Sequence, residues 1–152
     1  MKKQIGEVGV DSGQILICDP GYIDSEWKKE EFDILRRYRH NDGTILQYRV
    51  DFENYGSIIP KYGKSMNQIN ADKEAIELPD DRPPLHDFSY NACCKKTCGN
   101  DRYGQLNYVM GHPGVGVVSS SGYGDGCYPV IADIDDNNGR IKSITIIFIE
   151  NE

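Results

Sequence analysis

Apolar and polar positions alternate at both ends of the chain. Ile5–Val10 and Ile15–Cys18 read as two short strands, and Asp11-Ser12-Gly13 between them carries turn chemistry. Asp19-Pro20-Gly21 ends the second strand. The period then changes. Trp27, Ile34, Leu35 and Tyr38 recur at i, i+7, i+8 and i+11, which predicts one helix over Asp24–Arg39, capped by Asp24 or Ser25 and stopped by His40-Asn41-Asp42-Gly43. Thr44–Phe52 returns to strand-like alternation. Lys61–Pro84 is polar and reads as a long loop or insertion, with room for a short helix around Asn70–Leu78.

From Leu85 onward the pattern is β again. Strands are expected at His86–Cys94, Gln105–Met110, Gly114–Ser120, Cys127–Ile134 and Arg140–Glu150. Asp135-Asp136-Asn137-Asn138-Gly139 joins the last pair, and Asn-Gly is a strong hairpin signal. Ile141, Ile144, Ile146, Ile147, Phe148 and Ile149 are nearly continuous, as in a strand buried on both faces. The pattern predicts an α+β, mainly β fold: a twisted antiparallel sheet or sandwich with one helix (about 24–39) and a C-terminal hairpin. One domain is expected over 1–152, organised around the glycine-rich run from Gly111 to Val130, with a polar loop or insertion at about 61–84.

Composition narrows the partners. The net charge is −7, and the main basic cluster, Lys28, Lys29, Arg36, Arg37 and Arg39, is interleaved with Glu26, Glu30, Glu31 and Asp33. That is the pattern of a solvated helix face, and it argues against a double-stranded nucleic-acid partner, which calls for a basic stripe. No apolar run approaches the ~20 residues of a membrane span, so no membrane partner is expected and the cytoplasm is the expected location. Five cysteines, an odd number, do not make a complete disulfide framework.

Several catalytic constellations can be weighed. Gly122, Gly124 and Gly126 could form an anion-binding nest, but a strand-like segment follows them where a dinucleotide or phosphate loop needs a helix. Ser119, Ser120 and Ser121 lack the G-x-S-x-G elbow. Cys127 with His112 is a nucleophile–base pair on paper, read first as packing. Cys94 and Cys98 have one zinc-ligand spacing, with His86, His112 or Cys127 needed from a distance to complete the set, yet on a strand Cys93 and Cys94 would face opposite ways. Asp133–Gly139 fits a hairpin turn better than a calcium loop. Asp11, Asp19 and Asp125 sit beside Gly or Pro, the usual setting of turn-capping carboxylates.

Two blocks carry a resemblance. Val10-Asp11-Ser12-Gly13 with Cys18-Asp19-Pro20-Gly21-Tyr22, and Gly124-Asp125-Gly126-Cys127-Tyr128-Pro129-Val130 after Gly111-His112-Pro113-Gly114, resemble a family of small uncharacterised bacterial and bacteriophage proteins. The resemblance implies a β-rich fold and a bacterial or phage setting, with the host cytoplasm as location if the chain is phage-encoded. No activity comes with it. Some phage proteins of this size block host defence by sequestering a signal nucleotide or a host protein, an analogy of context.

The reading that follows is a non-enzymatic binding protein for a small anionic ligand or a host protein, with no cofactor and no catalytic residues. Its site is expected where Asp11, Ser12, Asp19, Tyr22, Ser121, Tyr123, Asp125 and Cys127 converge. Two rivals stand beside it. One is a metal-dependent phosphoester hydrolase using Asp11, Asp19 and Asp125 with His112. The other is an oligomeric structural protein.

Overall fold

The computed structural model describes residues 1–107 and 112–150. Tyr108, Met110 and Gly111, expected in a strand and at the head of the glycine-rich run, lie outside the described residues. The chain divides into two compact units, Met1–Glu31 with Pro84–Glu152, and Phe32–Pro83, which interrupts the first in sequence. The fold is α+β and mainly β, built from antiparallel sheets.

The first unit opens with β1 (Lys2–Val10), β2 (Gln14–Cys18) and α1 (Gly21–Ser25). The interrupting unit holds β3 (Arg37–His40), β4 (Ile45–Gln47), β5 (Ile58–Ile59), β6 (Lys64–Ser65), α2 (Met66–Ala71) and β7 (Ala75–Leu78). The first unit then resumes with α3 (Tyr90–Thr97), β8 (Tyr103–Leu106), β9 (Gly116–Ser120), β10 (Gly126–Ile134) and β11 (Ile141–Ile146).

In the first unit, one sheet has the order β2-β9-β8. Its register aligns Leu16 with Val118 and Cys18 with Gly116 and Leu106, so these side chains share a face. That face packs with Phe88, Ala92, Cys93 and Val115, and Trp27 meets Phe88 edge-on at 5.0 Å. Leu106 and Val118 are almost wholly buried, and burial of such side chains contributes roughly 1.5–3 kcal/mol each. The second sheet has the order β1-β10-β11. Its β10–β11 hairpin closes over residues 136–139, a longer loop than a two-residue Asn-Gly turn: the Asp135 amide donates to the Arg140 carbonyl at 2.8 Å, and Gly139 takes φ = 73°.

The expectation of a C-terminal strand buried on both faces is corrected. The strand ends at Ile146, sits at a sheet edge, and leaves Ile141 and Ile144 53% and 59% exposed. Ile144 lies opposite Ala132 and Ile146 opposite Val130, so the isoleucines give one sheet face an apolar character.

The expected helix over Asp24–Arg39 is also corrected. Only α1 is helical there, and residues 37–40 form a strand between β4 and β7. Tertiary pairing with Ala75–Leu78 outweighs the local helical period. The apolar residues that suggested one face divide between units: Trp27 packs in the first core, Tyr38 in the second. In place of one helix, the described residues hold three short ones.

The strand expected at His86–Cys94 is α3 instead, because Ser89 caps it: its Oγ accepts the Ala92 amide at 3.1 Å. The strand expected at Thr44–Phe52 stops at Gln47 and continues as a tight turn. Residues 61–84, read as a long loop or insertion, carry β6, α2 with a Ser65/Gln68 capping box, and β7; the helix ends at Ala71, where the sequence left room for one around Asn70–Leu78. Met66 and Ile69 of α2 join Tyr38, Leu46, Phe52 and Ile59 in the core of this unit.

Candidate functional site

The eight residues expected to converge do not share one surface. They divide between the two ends of the β2–β9 ladder, which runs from Gln14↔Ser120 to Cys18↔Gly116. At about 3.4 Å per residue, its ends are roughly 14 Å apart.

At the first end the glycine-rich corner is a fully engaged turn. Asp125 accepts the Gly13 amide at 2.8 Å, the Ser121 amide donates to the Gly13 carbonyl at 3.0 Å, and the buried Ser121 hydroxyl donates to the Gly124 carbonyl at 2.7 Å. The Tyr128 hydroxyl closes it, donating to the Ser121 carbonyl at 3.0 Å and to the Gly124 carbonyl. Gly122 is required twice over. Its φ is 61°, and a Cβ there would stand 3.0 Å from Phe148 and Ile149. Asp11, Ser12, Tyr123 and Cys127 are exposed around this corner.

At the other end Asp19 accepts the Gly21 amide at 2.8 Å, and the Tyr22 hydroxyl meets His112 Nε2 at 3.1 Å. Beside them runs an open groove of ≈ 360 Å³, flanked by Ile17, Gln105 and Gly114–Val117. Asp19 and Asp125 thus serve as turn caps. An anion would meet negative carboxylates at both places.

The metal candidates are not assembled either. Cys93 and Cys94 are buried on α3, while Cys98 is exposed at its end. Burial pushes the Cys93 thiol up to about 12, with the neighbouring cysteines adding to the effect. Among the described residues, no three His, Cys, Asp or Glu side chains are grouped to hold a metal ion. Neither the set Cys94, Cys98 and His112 nor the set Asp11, Asp19, Asp125 and His112 forms such a group.

A different site stands out within the unit Phe32–Pro83. A cavity of ≈ 540 Å³ is lined by Arg36, Arg49 and Arg82, by Phe32, Tyr48 and Tyr55, and by Asp33, Ile34, Leu35, Gln47 and Val50. Its volume is within the ~300–1,000 Å³ range of small-ligand pockets. Each arginine is held differently. Arg82 forms a two-pronged pair with Asp80, Nε to Oδ1 at 2.9 Å and Nη2 to Oδ2 at 3.0 Å, and reaches Asp33 at 3.2 Å. The Asp80 side chain is 7% exposed and also accepts the Leu35 amide at 2.9 Å, so Arg82 and the 33–36 segment are fixed together.

Arg36 is tied to the Tyr55 hydroxyl, which keeps its guanidinium firmly charged, with more distant help from Glu77. Tyr55 in turn meets the Tyr38 hydroxyl at 3.0 Å. Burial, then this hydrogen bond, pushes the Tyr38 phenol well above its ordinary range, so it stays neutral. Arg49 projects from the turn after β4 at φ = 66°, a left-handed conformation that costs a non-glycine residue about 1 kcal/mol. The turn holds it there. The Arg49 amide donates to the Phe52 carbonyl at 2.8 Å, the Asp51 amide to the Gln47 carbonyl at 2.8 Å, and the Gln47 amide to the Asp51 carboxylate at 2.7 Å. The Arg49 guanidinium carbon sits 5.4 Å from the centre of the Tyr48 ring.

Among the described residues, neither Arg36 nor Arg49 forms an ion pair. The lining therefore has three cations against one carboxylate, in a chain whose net charge is −7. This unit has eight basic and nine acidic side chains, whereas the other has nine and fifteen. The sequence signal was Arg and Tyr interleaved at 36–39 and 48–49. Reading Arg36, Arg37 and Arg39 as one solvated helix face concealed it.

The fold and pocket together define a mainly β protein with a basic, aromatic-lined cavity. No family model, curated protein or solved structure matches the chain. Among the described residues no helix is long and apolar enough to cross a membrane.

Proposed function

We propose that this chain is a non-enzymatic binding protein for a small anionic ligand, and that the ligand sits in the Arg36, Arg49 and Arg82 pocket. One observation carries the reading: among the described residues, two of the three arginines lining a ligand-sized cavity form no ion pair, in a strongly acidic chain. Unpaired guanidinium groups fix carboxylates and phosphates through two parallel hydrogen bonds. Arg82, pinned by Asp80 and Asp33, supplies a rigid wall. The bacterial or phage setting implied by the two sequence blocks belongs to this proposal, as does sequestration of a signal molecule in defence or counter-defence. The turns at Asp19–Tyr22 and Ser121–Cys127 support the pocket's competitor poorly, because the Asp19 and Asp125 carboxylates already accept the Gly21 and Gly13 amides.

Calorimetric titration of the full chain with inorganic pyrophosphate tests the reading. Binding that weakens about tenfold in Arg36→Ala and again in Arg49→Ala, and that persists in the Asp11→Asn, Asp125→Asn double variant, is the expected outcome. No binding at low salt, or binding indifferent to both arginine changes, contradicts it.

A further inference from the structure

We propose that the natural ligand of the pocket is a nucleotide, a planar nitrogen heterocycle carrying at least one phosphoryl group. This deepens the anion-binding reading and rests on it. What it adds is the ring, and the ring is argued from features that an anion alone does not need.

The first feature is the aromatic floor. Tyr48 is half-buried, lines the cavity, and is backed by Tyr55 and Phe52 with ring centroids 5.3 and 5.7 Å away. A stiffly backed ring offers a stacking platform, which is sequence-tolerant because every base has a π-face. The second feature is the cover. Arg49 lies over that ring at 5.4 Å, anchored by a hydrogen-bonded turn and free of ion pairs among the described residues. A guanidinium plane stacks on a heterocycle as readily as on tyrosine. A base entering the pocket can take the Tyr48 face while Arg49 swings on its side-chain torsions to cover the base or meet the phosphate.

The third feature is the division of labour around the ring. Arg36, beside the Tyr55 hydroxyl and without an ion pair among the described residues, supplies a cation for the phosphoryl group. Gln47, half-buried at the wall, presents an amide that both donates and accepts, the chemistry that reads a base edge. The fourth is size. A cavity of ≈ 540 Å³ has room for a small organic ligand and is far larger than phosphate requires.

The test is calorimetry on the full chain at one ionic strength with ADP, GDP, CDP, inorganic pyrophosphate and a short single-stranded oligonucleotide as probes. ADP is expected to bind at least ~10-fold more tightly than pyrophosphate, since stacking on one aromatic ring typically contributes that much or more. Tyr48→Leu is expected to remove most of that advantage while leaving pyrophosphate affinity within about twofold, and Tyr48→Phe to keep it. Should Tyr48→Leu fail to fold, the probe comparison on the unaltered chain still decides, as does Tyr48→Phe. Pyrophosphate binding as tightly as ADP, with GDP and CDP no better, overturns the ring and leaves the anion site standing. No binding of either phosphorylated probe overturns the anion reading, and this inference with it. A short single-stranded oligonucleotide binding more than ~100-fold tighter than ADP overturns the small ligand in favour of a nucleic-acid partner.

Discussion

Glu30 accepts four hydrogen bonds, from the Leu85 and His86 amides, the Ser89 hydroxyl and the Asn91 side-chain amide, at 2.8–3.0 Å. Desolvation raises its pKa, but these donors outweigh it and lower the carboxyl from 4.5 to about 2. A carboxyl whose folded pKa lies below its unfolded value stabilises the fold above the unfolded pKa. That contribution is lost as pH falls through the window from about 4.5 to about 2. Glu30→Gln is therefore expected to cost about 1–3 kcal/mol at neutral pH and to flatten the stability profile in that acid window, measured by urea unfolding at stepped pH. An unchanged pH profile would show that the carboxylate does not organise residues 85–91. Nothing in the sequence announces this role. Glu30 sits in an acidic stretch read as a helix face, and its donors lie more than fifty positions away.

Elements whose local pattern agrees with their tertiary pairing were legible in the sequence. The β10–β11 hairpin was readable because residues 135–139 carry turn chemistry, and β1 and β2 because each alternates beside a turn of Asp, Ser and Gly, although they pair with β10 and β9 far along the chain. Elements whose local period conflicts with a distant pairing were not. Residues 37–40 carry a helical apolar period, yet they pair with Ala75–Leu78, 35 to 41 positions away. Trp27 and Tyr38, though aligned on a helical wheel, enter separate cores. The pocket was hidden for the same reason, because Arg36 becomes a neighbour of Tyr48 and Arg82 only after β3 forms. Ser89 was the missed signal for α3. Its side chain caps the Ala92 amide and also donates to Glu30, so Ser89→Ala is expected to cost about 1–2 kcal/mol, read as a lower urea midpoint at unchanged slope. A midpoint equal to wild type would remove the cap from the account of this helix.

On the scale of the whole chain, the charge is unevenly shared. The unit Met1–Glu31 with Pro84–Glu152 has six more acidic than basic side chains, and Phe32–Pro83 has one more. The recognisable sequence blocks lie in the more acidic unit, where they build turns. The cavity suited to an anion lies in the other, in a stretch where no recognisable block was found. The most direct measurement is an NMR titration of the arginine side-chain Nε–Hε resonances of the full chain with pyrophosphate. Binding in the proposed pocket predicts that shifts centre on Arg36 and Arg49, with Arg82 following weakly because Asp80 and Asp33 hold it, and with Arg102 and Arg140 unmoved. Shifts centred on Arg102 or Arg140, or none at saturating pyrophosphate, would contradict the account.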